Sequence, residues 1–404
     1  MVNASGCSLC HLNILRNRFF NFRMINDTHF DYIIIGNGLA GLQLALKFAS
    51  DSFFNDKKIA LIDPSEKNSN DKTWSFWETQ PSQWDGIVHK SWQHATIETS
   101  KKTIALNLEP YTYKTIRAID FYNHAKKRLN QHKNIHFIIE EVQNVEETSH
   151  VVVKTDKHIY TALHVFDSRI PENFLKANST YTTIKQHFKG WIIKTDVPTF
   201  NKDSIVMMDY RLKDGEQTTF IYVLPFSETE ALVEFTYFTE NIVNDTVYDH
   251  FIKEYIEKFL KIGTYTITET EKGIIPMTTF PFENFNTKHI TKIGTGGGWV
   301  KGSTGYSFKH TEKKVALILA NIKANKNPSH QLFKRKFKFY DKVFLKVLKD
   351  ENHKGEWIFQ QFYDKNAAQT MFRFLDEEST FLEELKIMWS LFSWTFIKAF
   401  FKTL

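Results

Sequence analysis

An apolar run, Tyr32-Ile-Ile-Ile35, ends in Gly36-Asn-Gly38 and continues as Leu39-Ala-Gly41-Leu-Gln-Leu-Ala-Leu-Lys-Phe-Ala49, where the apolar positions fall at helical spacing. A short apolar run bounded by turn residues reads as a buried strand, and the change to a 3.6-residue period reads as a helix. Lys58-Ile-Ala-Leu-Ile-Asp63 repeats the strand pattern and closes on an acid. Beyond a polar loop at 67–72, residues 73–78 hold three aromatics in what reads as a further loop. Short strands are predicted over 95–98, 103–106 and 111–116, a helix over 118–130, and strands over 135–140, 151–154 and 164–167. From 183 to 240 strand signals dominate, at 188–194, 204–210, 218–224 and 232–238, which predicts an antiparallel sheet. A helix over 244–260 and a strand over 262–272 follow. A second Gly-rich stretch, Gly294 to Gly305, opens a helix through 321, and the chain beyond Pro328 is helical and charged.

The pattern predicts an α/β protein: a Rossmann-type nucleotide domain with an inserted, mostly antiparallel β sub-domain and a helical C-terminal region. The nucleotide domain is expected to be discontinuous, over 25–82, 118–180 and 285–325. Residues 83–117 and 181–284 form the substrate sub-domain, and 326–404 a membrane-facing or pocket-capping region. Residues 1–24 read as an extended start or a disordered leader.

Composition changes this picture little. The chain has 404 residues, enough for two or three sub-domains and a large core. Its 52 Lys and Arg against 46 Asp and Glu leave a net charge of +6. That mild, diffuse excess suits an anionic membrane surface and does not argue for nucleic acid. Aromatics make up 15%, with 37 Phe, which suits an apolar pocket. No run of about 18 uncharged apolar residues occurs, so no transmembrane helix is expected. The only cysteines, Cys7 and Cys10, precede the first strand, so disulfides in the body are excluded and a reducing cytoplasm is expected. Cys7-Ser-Leu-Cys10-His11 fits the c-type haem attachment pattern, but no signal peptide accompanies it. No His, Cys and carboxylate cluster has metal-ligand spacing, so no metal is expected.

The candidate chemistry starts at the first turn. Gly36 turns the strand, Gly38 lets a pyrophosphate approach the backbone, and Gly41 lets the helix lie on the strand, with its N-terminus facing phosphate charge. Asp63 ends the second strand where a carboxylate accepts ribose hydroxyls. The unit's place near the start of a long chain favours FAD over NAD(P) by analogy. Asp167-Ser-Arg169 offers either a carboxylate and guanidinium beside the dinucleotide or a plain ion pair. Gly294, Gly296, Gly297, Thr304 and Gly305 either present a second set of free backbone N–H groups, suited to a flavin, or form a flexible loop without ligand. Trp74, Phe76 and Trp77 line either the core or a ligand. The stretch 381–402, rich in Phe and Trp with Lys398 and Lys402, either lies in lipid headgroups or caps a pocket.

Thr73-Trp-Ser-Phe76, Asp167-Ser-Arg169, Met208-Asp209, Leu232-Val-Glu234, Gly273-Ile-Ile-Pro-Met277 and Thr304-Gly-Tyr-Ser307 occur in one order along the chain. Together with the N-terminal turn they resemble the bacterial lycopene β-cyclases over about 31–321. The resemblance implies closure of the linear ends of lycopene to β-ionone rings without net redox chemistry. It implies reduced FAD as cofactor, NAD(P)H as reductant, a carotene substrate, a place on the inner face of the cell membrane, and other carotenoid enzymes as neighbours. It also implies Glu234 as the acid, in a pocket with Trp74, Phe76, Trp77, Asp209 and Tyr237. Glu234 has a bland reading too, as a carboxylate on the solvated face of an edge strand. Asn37, Ile170 and Phe235 depart from the family pattern; Phe235 stands where a second acid is common and leaves Glu234 without a partner carboxylate. A flavin monooxygenase or polyprenyl reductase on the same fold is the alternative activity, and a non-catalytic carotenoid-binding flavoprotein a third reading.

Overall fold

The computed structural model describes residues 28–176 and 181–404, so the reading of 1–24 as an extended start or a leader and the Cys7–Cys10–His11 pattern lie outside the described residues. Two seven-stranded sheets and one three-stranded sheet carry the fold. In the nucleotide sheet Ile135–Ile139, Ile59–Asp63, His29–Ile35 and Ile159–Asp167 run parallel, and Ile290–Lys292 joins the far half of the last. Val151–Thr155 and Val142–Glu147 extend this sheet antiparallel. The last of these was not predicted, because its residues are half-buried or exposed and carry little apolar alternation.

Both faces of the His29–Ile35 strand are buried, which explains its unbroken apolar run. Ile34 faces the helices Leu39–Ala49, Ala118–Leu129 and Phe308–Lys323, while Ile33 and Ile35 face a second core with Val153 and Val165. The last of those helices starts only at Phe308, after a loop, and not directly at the second Gly-rich turn.

The large sheet orders Thr266–Thr278, Thr183–Lys194, Glu230–Thr239, Thr219–Pro225, Ser204–Asp209, His94–Glu98 and Thr103–Asn107. All neighbours are antiparallel except Ser204–Asp209 with His94–Glu98. Its outer face is covered by the helix Asp245–Lys258 through Phe235, Tyr237, Tyr248 and Ile252. Its inner face meets the C-terminal helices through Leu232, Phe238, Phe359 and Phe362. Gly273–Met277 lies inside the first strand named, and Pro276 is tolerated there because that strand is a sheet edge, where only every second N–H faces the neighbouring strand.

One expectation needs correction. Residues 73–78 are a strand, Thr73–Glu78, paired with Thr112–Arg117, which also carries Lys90–Trp92. Its aromatic and Thr content favours a pleated, half-buried surface, and this small sheet joins segments that the sequence reading divided between two domains. The stretch 381–402 is two helices, Phe381–Ser390 and Trp394–Thr403, the first opened by a capping box between Thr380 and Glu383 and the second by Ser393 as N-cap. Before them come Arg335–Asp350, Gly355–Lys365 and Ala368–Leu375.

Trp77 fastens the small sheet to these helices. Its ring stacks on Phe372 at 4.4 Å and its Nε1 donates to Asp376 at 3.0 Å. Trp77→Ala removes both contacts from a buried site and is expected to cost about 3–5 kcal/mol, read as a lower urea midpoint; an unchanged midpoint would remove Trp77 from this role.

Candidate active site

The first Gly-rich turn is built by contact. Gly36 has φ +100°, and a Cβ there would sit 2.0 Å from Ser168 Oγ; one on Gly41 would sit 2.0 Å from the Gly36 carbonyl oxygen. Gly38 differs, since a Cβ there meets nothing within 4 Å. Open space thus lies over the N-cap of the Leu39–Ala49 helix, where backbone N–H groups and the helix dipole favour phosphate. Asp63 is buried beside this turn and accepts from Asn37 N at 2.7 Å and Ser65 N at 2.8 Å, with Lys67 Nζ at 3.3 Å. Ser65 and Lys67 both meet Oδ1, while Oδ2, bonded by Asn37 alone, keeps a second lone pair for a ribose hydroxyl.

The second Gly-rich stretch packs tightly on the sheet. A Cβ on Gly296 would lie 2.3 Å from the Arg169 carbonyl oxygen, one on Gly297 2.4 Å from that of Lys292, and one on Gly294 3.2 Å from Ala40 Cβ. Gly305 has φ +77° and abuts Gln186. Asn37 Oδ1, Gln43 Nε2, Gln186 Oε1 and Thr304 Oγ1 are buried without a hydrogen-bond partner among the described residues. Buried polar atoms are seldom left so. The open space over Gly38 and these unpaired atoms fit a dinucleotide such as FAD. Arg169 does not offer its guanidinium there. It forks onto Asp167 at 3.0 and 2.9 Å and reaches the Val142 carbonyl, while Lys292 Nζ joins Asp167 at 3.0 Å.

A cavity of about 480 Å³ runs from Thr304 and Gly305 to the inner face of the large sheet. Glu234 opens into it from Glu230–Thr239, an interior strand, so the edge-strand reading is corrected. The carboxyl accepts from Thr236 Oγ1 at 2.7 Å. Its burial, the charge of Glu271 and a hydrogen bond with that group push it well above the usual carboxylate range, and the Thr236 bond opposes them without prevailing. Glu271, half-buried on the edge strand, accepts from Thr73 Oγ1 at 2.8 Å and is raised chiefly by burial. Glu234 therefore has a carboxyl partner after all, supplied by another strand and not by its sequence neighbour. Beyond Glu234, Tyr113 Oη lies 2.7 Å from Tyr222 Oη and 3.2 Å from Tyr306 Oη, and Tyr222 donates to Ser75 Oγ at 3.1 Å.

Of the expected pocket residues, Trp74 lines the cavity, edge-on to Phe121 at 5.4 Å. The other four do not. Phe76 stacks on Phe308 in the nucleotide core, and Trp77 stacks on Phe372. Tyr237 faces the outer helix, stacks on His187 at 4.8 Å and donates to Asp214 at 2.8 Å. Asp209 is fully buried against Arg211 and accepts from Tyr255 Oη at 2.8 Å. Sequence reasoning missed Glu271, Tyr113, Tyr222 and Tyr306. Only Tyr306, in the Thr304–Ser307 motif, carried a local signal.

The fold is a mixed α/β one, a parallel nucleotide-type sheet beside a larger, mostly antiparallel sheet, and a buried acid lines the cavity that reaches Thr304 and Gly305. Residues 31–401 match the family model described as lycopene cyclase protein, and the chain belongs to that family. Neoxanthin synthase of Solanum lycopersicum is 24% identical over 70% of this chain and 58% of its own length. Lycopene beta-cyclase of Pantoea ananas is 26% identical over 54% of each. The chain thus spans little more than half the length of these relatives. A geranylgeranyl bacteriochlorophyll reductase-like protein of Thermoplasma acidophilum shares the fold, with TM-score 0.59 and 12% identity over 93% of this chain and 99% of its own.

Because none of the described residues lies within 4 Å of a Cβ on Gly38, Gly38→Val should leave the fold intact and block the nucleotide. We expect a colourless protein whose circular dichroism and melting match flavin-stripped wild type; retention of flavin would contradict the assignment of this turn.

Proposed function

We propose that the protein is a lycopene β-cyclase that closes the linear ends of lycopene by acid–base isomerisation with reduced FAD, NAD(P)H serving to reduce it. The observation that carries this reading is Glu234: a carboxyl buried in an aromatic-walled cavity with no cation among the described residues that holds it ionised. A carboxylic acid kept neutral at physiological pH is what protonation of an alkene requires.

The residues around Gly36, Gly38, Gly41 and Asp63 would hold the adenosine and pyrophosphate, and Thr304 and Gly305 the flavin end. Reduced FAD, when bound, supplies negative charge that lowers the energy of a nearby carbocation. The protein's own steps are few. The O–H bond of Glu234 breaks as a C–H bond forms at the terminal alkene. The resulting tertiary cation is attacked by an internal alkene, which closes the ring and moves the charge onto the ring. Loss of a proton from the adjacent ring carbon sets the double bond. Trp74, Tyr113, Tyr222 and Tyr306 offer ring faces and phenol oxygens to the cation and keep bulk water out.

A carotene resides in lipid, and the last two helices suit its collection. Phe381, Leu382, Trp389, Phe392, Trp394 and Phe401 are each more than 60% exposed, with Lys386, Lys398 and Lys402 among them. No helix of the described residues is long and apolar enough to cross a membrane. The patch supports peripheral binding at the cytoplasmic face of the cell membrane, with Trp and Phe in the headgroup region, beside the other enzymes of carotenoid synthesis.

In a cell that makes lycopene, the wild type should yield β-carotene or a monocyclic carotene on chromatography. Glu234→Gln should leave lycopene, at least about a hundredfold down in ring product, while retaining flavin. Stoichiometric NAD(P)H oxidation with a hydroxylated or hydrogenated product would favour the monooxygenase or reductase reading. Trp389→Ser with Trp394→Ser should weaken cosedimentation with anionic vesicles by about tenfold or more, from the apolar area each ring buries. Equal sedimentation would remove the patch from membrane binding.

A further inference from the structure

Four neighbouring strands of the large sheet place Tyr222, Glu234, Gly190 and Glu271 in one row. Glu234 and Glu271 are two strands apart, roughly 10 Å at the backbone. A side chain between them would ordinarily hold such groups away from each other. Gly190 has none, and a Cβ there would stand 2.8 Å from Leu232 Cδ1 and 3.2 Å from Glu234 Cβ. Across this gap the two carboxyls share a hydrogen bond. Such a bond needs one proton, since two ionised carboxylates repel and neither donates.

The surroundings decide which member keeps it. Thr73 Oγ1, donating to Glu271 at 2.8 Å, favours the charge on Glu271 most, and Arg117 adds to this against the like charge of Glu269, with which Arg117 itself pairs; Arg117 Nε is buried and unpaired among the described residues. Asn70 also donates to Glu269, at 3.2 Å. Among the described residues no cation acts on Glu234 in this way, and the groups that face it are Glu271, Thr236, Tyr222 and Tyr306. Asp71 and Lys72 stand elsewhere on the cavity wall, and Lys272 points to Asp245.

We propose that Glu271 is the positioning carboxylate of the acid site: ionised and hydrogen-bonded across the gap at Gly190, it keeps the proton on Glu234 until the substrate alkene takes it. The assignment rests on the cyclase reading. When the alkene takes the proton, the pair passes from one negative charge to two as the substrate becomes a cation, so charge separates across a short distance inside the cavity. The proton lost from the ring returns to the pair, and no proton is consumed overall. Half-buried Glu271 is the member through which the pair exchanges protons with water.

The test uses flavin-loaded enzyme and lycopene in vesicles, with the rate measured from about pH 5.5 to 8.5. Glu271→Gln removes the negative charge beside Glu234, which then ionises at lower pH. The alkaline limb of the profile should move down by about one unit, so the variant falls further behind wild type as the pH rises through the limb, approaching about tenfold above it. Glu271→Asp keeps the charge and should restore most of the wild-type profile. A profile of unchanged shape in Glu271→Gln, at any absolute rate, overturns the proposal, because a purely structural role scales the curve without moving it. Should that variant lose its flavin, Gly190→Ala, which separates the pair while keeping both acids, should shift the limb in the same direction, and an unmoved limb there overturns the proposal equally. Absence of ring product from wild type would instead overturn the cyclase reading.

Discussion

A carboxyl buried away from water, with no cation among the described residues to hold it ionised, is the constraint that the rest of the site serves. An ionised carboxylate in such a place is costly, so the group stays neutral and becomes a proton donor. Keeping Glu234 there demands a rigid mount. The Glu230–Thr239 strand supplies it, paired on both sides and anchored by Phe235 and Tyr237 on the face turned away from the cavity. The even positions Leu232, Glu234, Thr236 and Phe238 are thereby fixed on the inner face.

The small sheet joins this mount to the nucleotide domain. Thr73 and Ser75 alternate toward the cavity and meet Glu271 and Tyr222, while Phe76 packs on Phe308 of the nucleotide core. Arg117, paired with Thr73 across that sheet, adds an ion pair to Glu269 on the edge strand. The aromatic segment is thus a hinge of contacts between acid and cofactor region, and only Trp74 of its three aromatics reaches the cavity wall.

What was legible in the sequence was local. Glycine spacing, an apolar run and an acid at a strand end lie within about 30 residues, and the nucleotide domain follows from them. The acid site depends on register between distant strands. Gly190, Glu234 and Glu271 are far apart in sequence and meet only because their strands align, so neither the partner acid nor the role of the glycine had a local signal. Tyr237 was excludable from alternation alone, since it stands an odd number of residues from Glu234 and faces the other way. For Arg169 the sequence left a cofactor ligand and a plain ion pair open, because motifs name residues and not directions; its guanidinium folds back onto Asp167.

The central claim, ring closure by proton addition and loss, is tested most directly by running the reaction in deuterium oxide and weighing the product by mass spectrometry. The account predicts one deuterium for each ring closed, with the product otherwise isomeric with lycopene. A ring product without label, or a product heavier by the atoms of a reduction or an oxygen insertion, would contradict it.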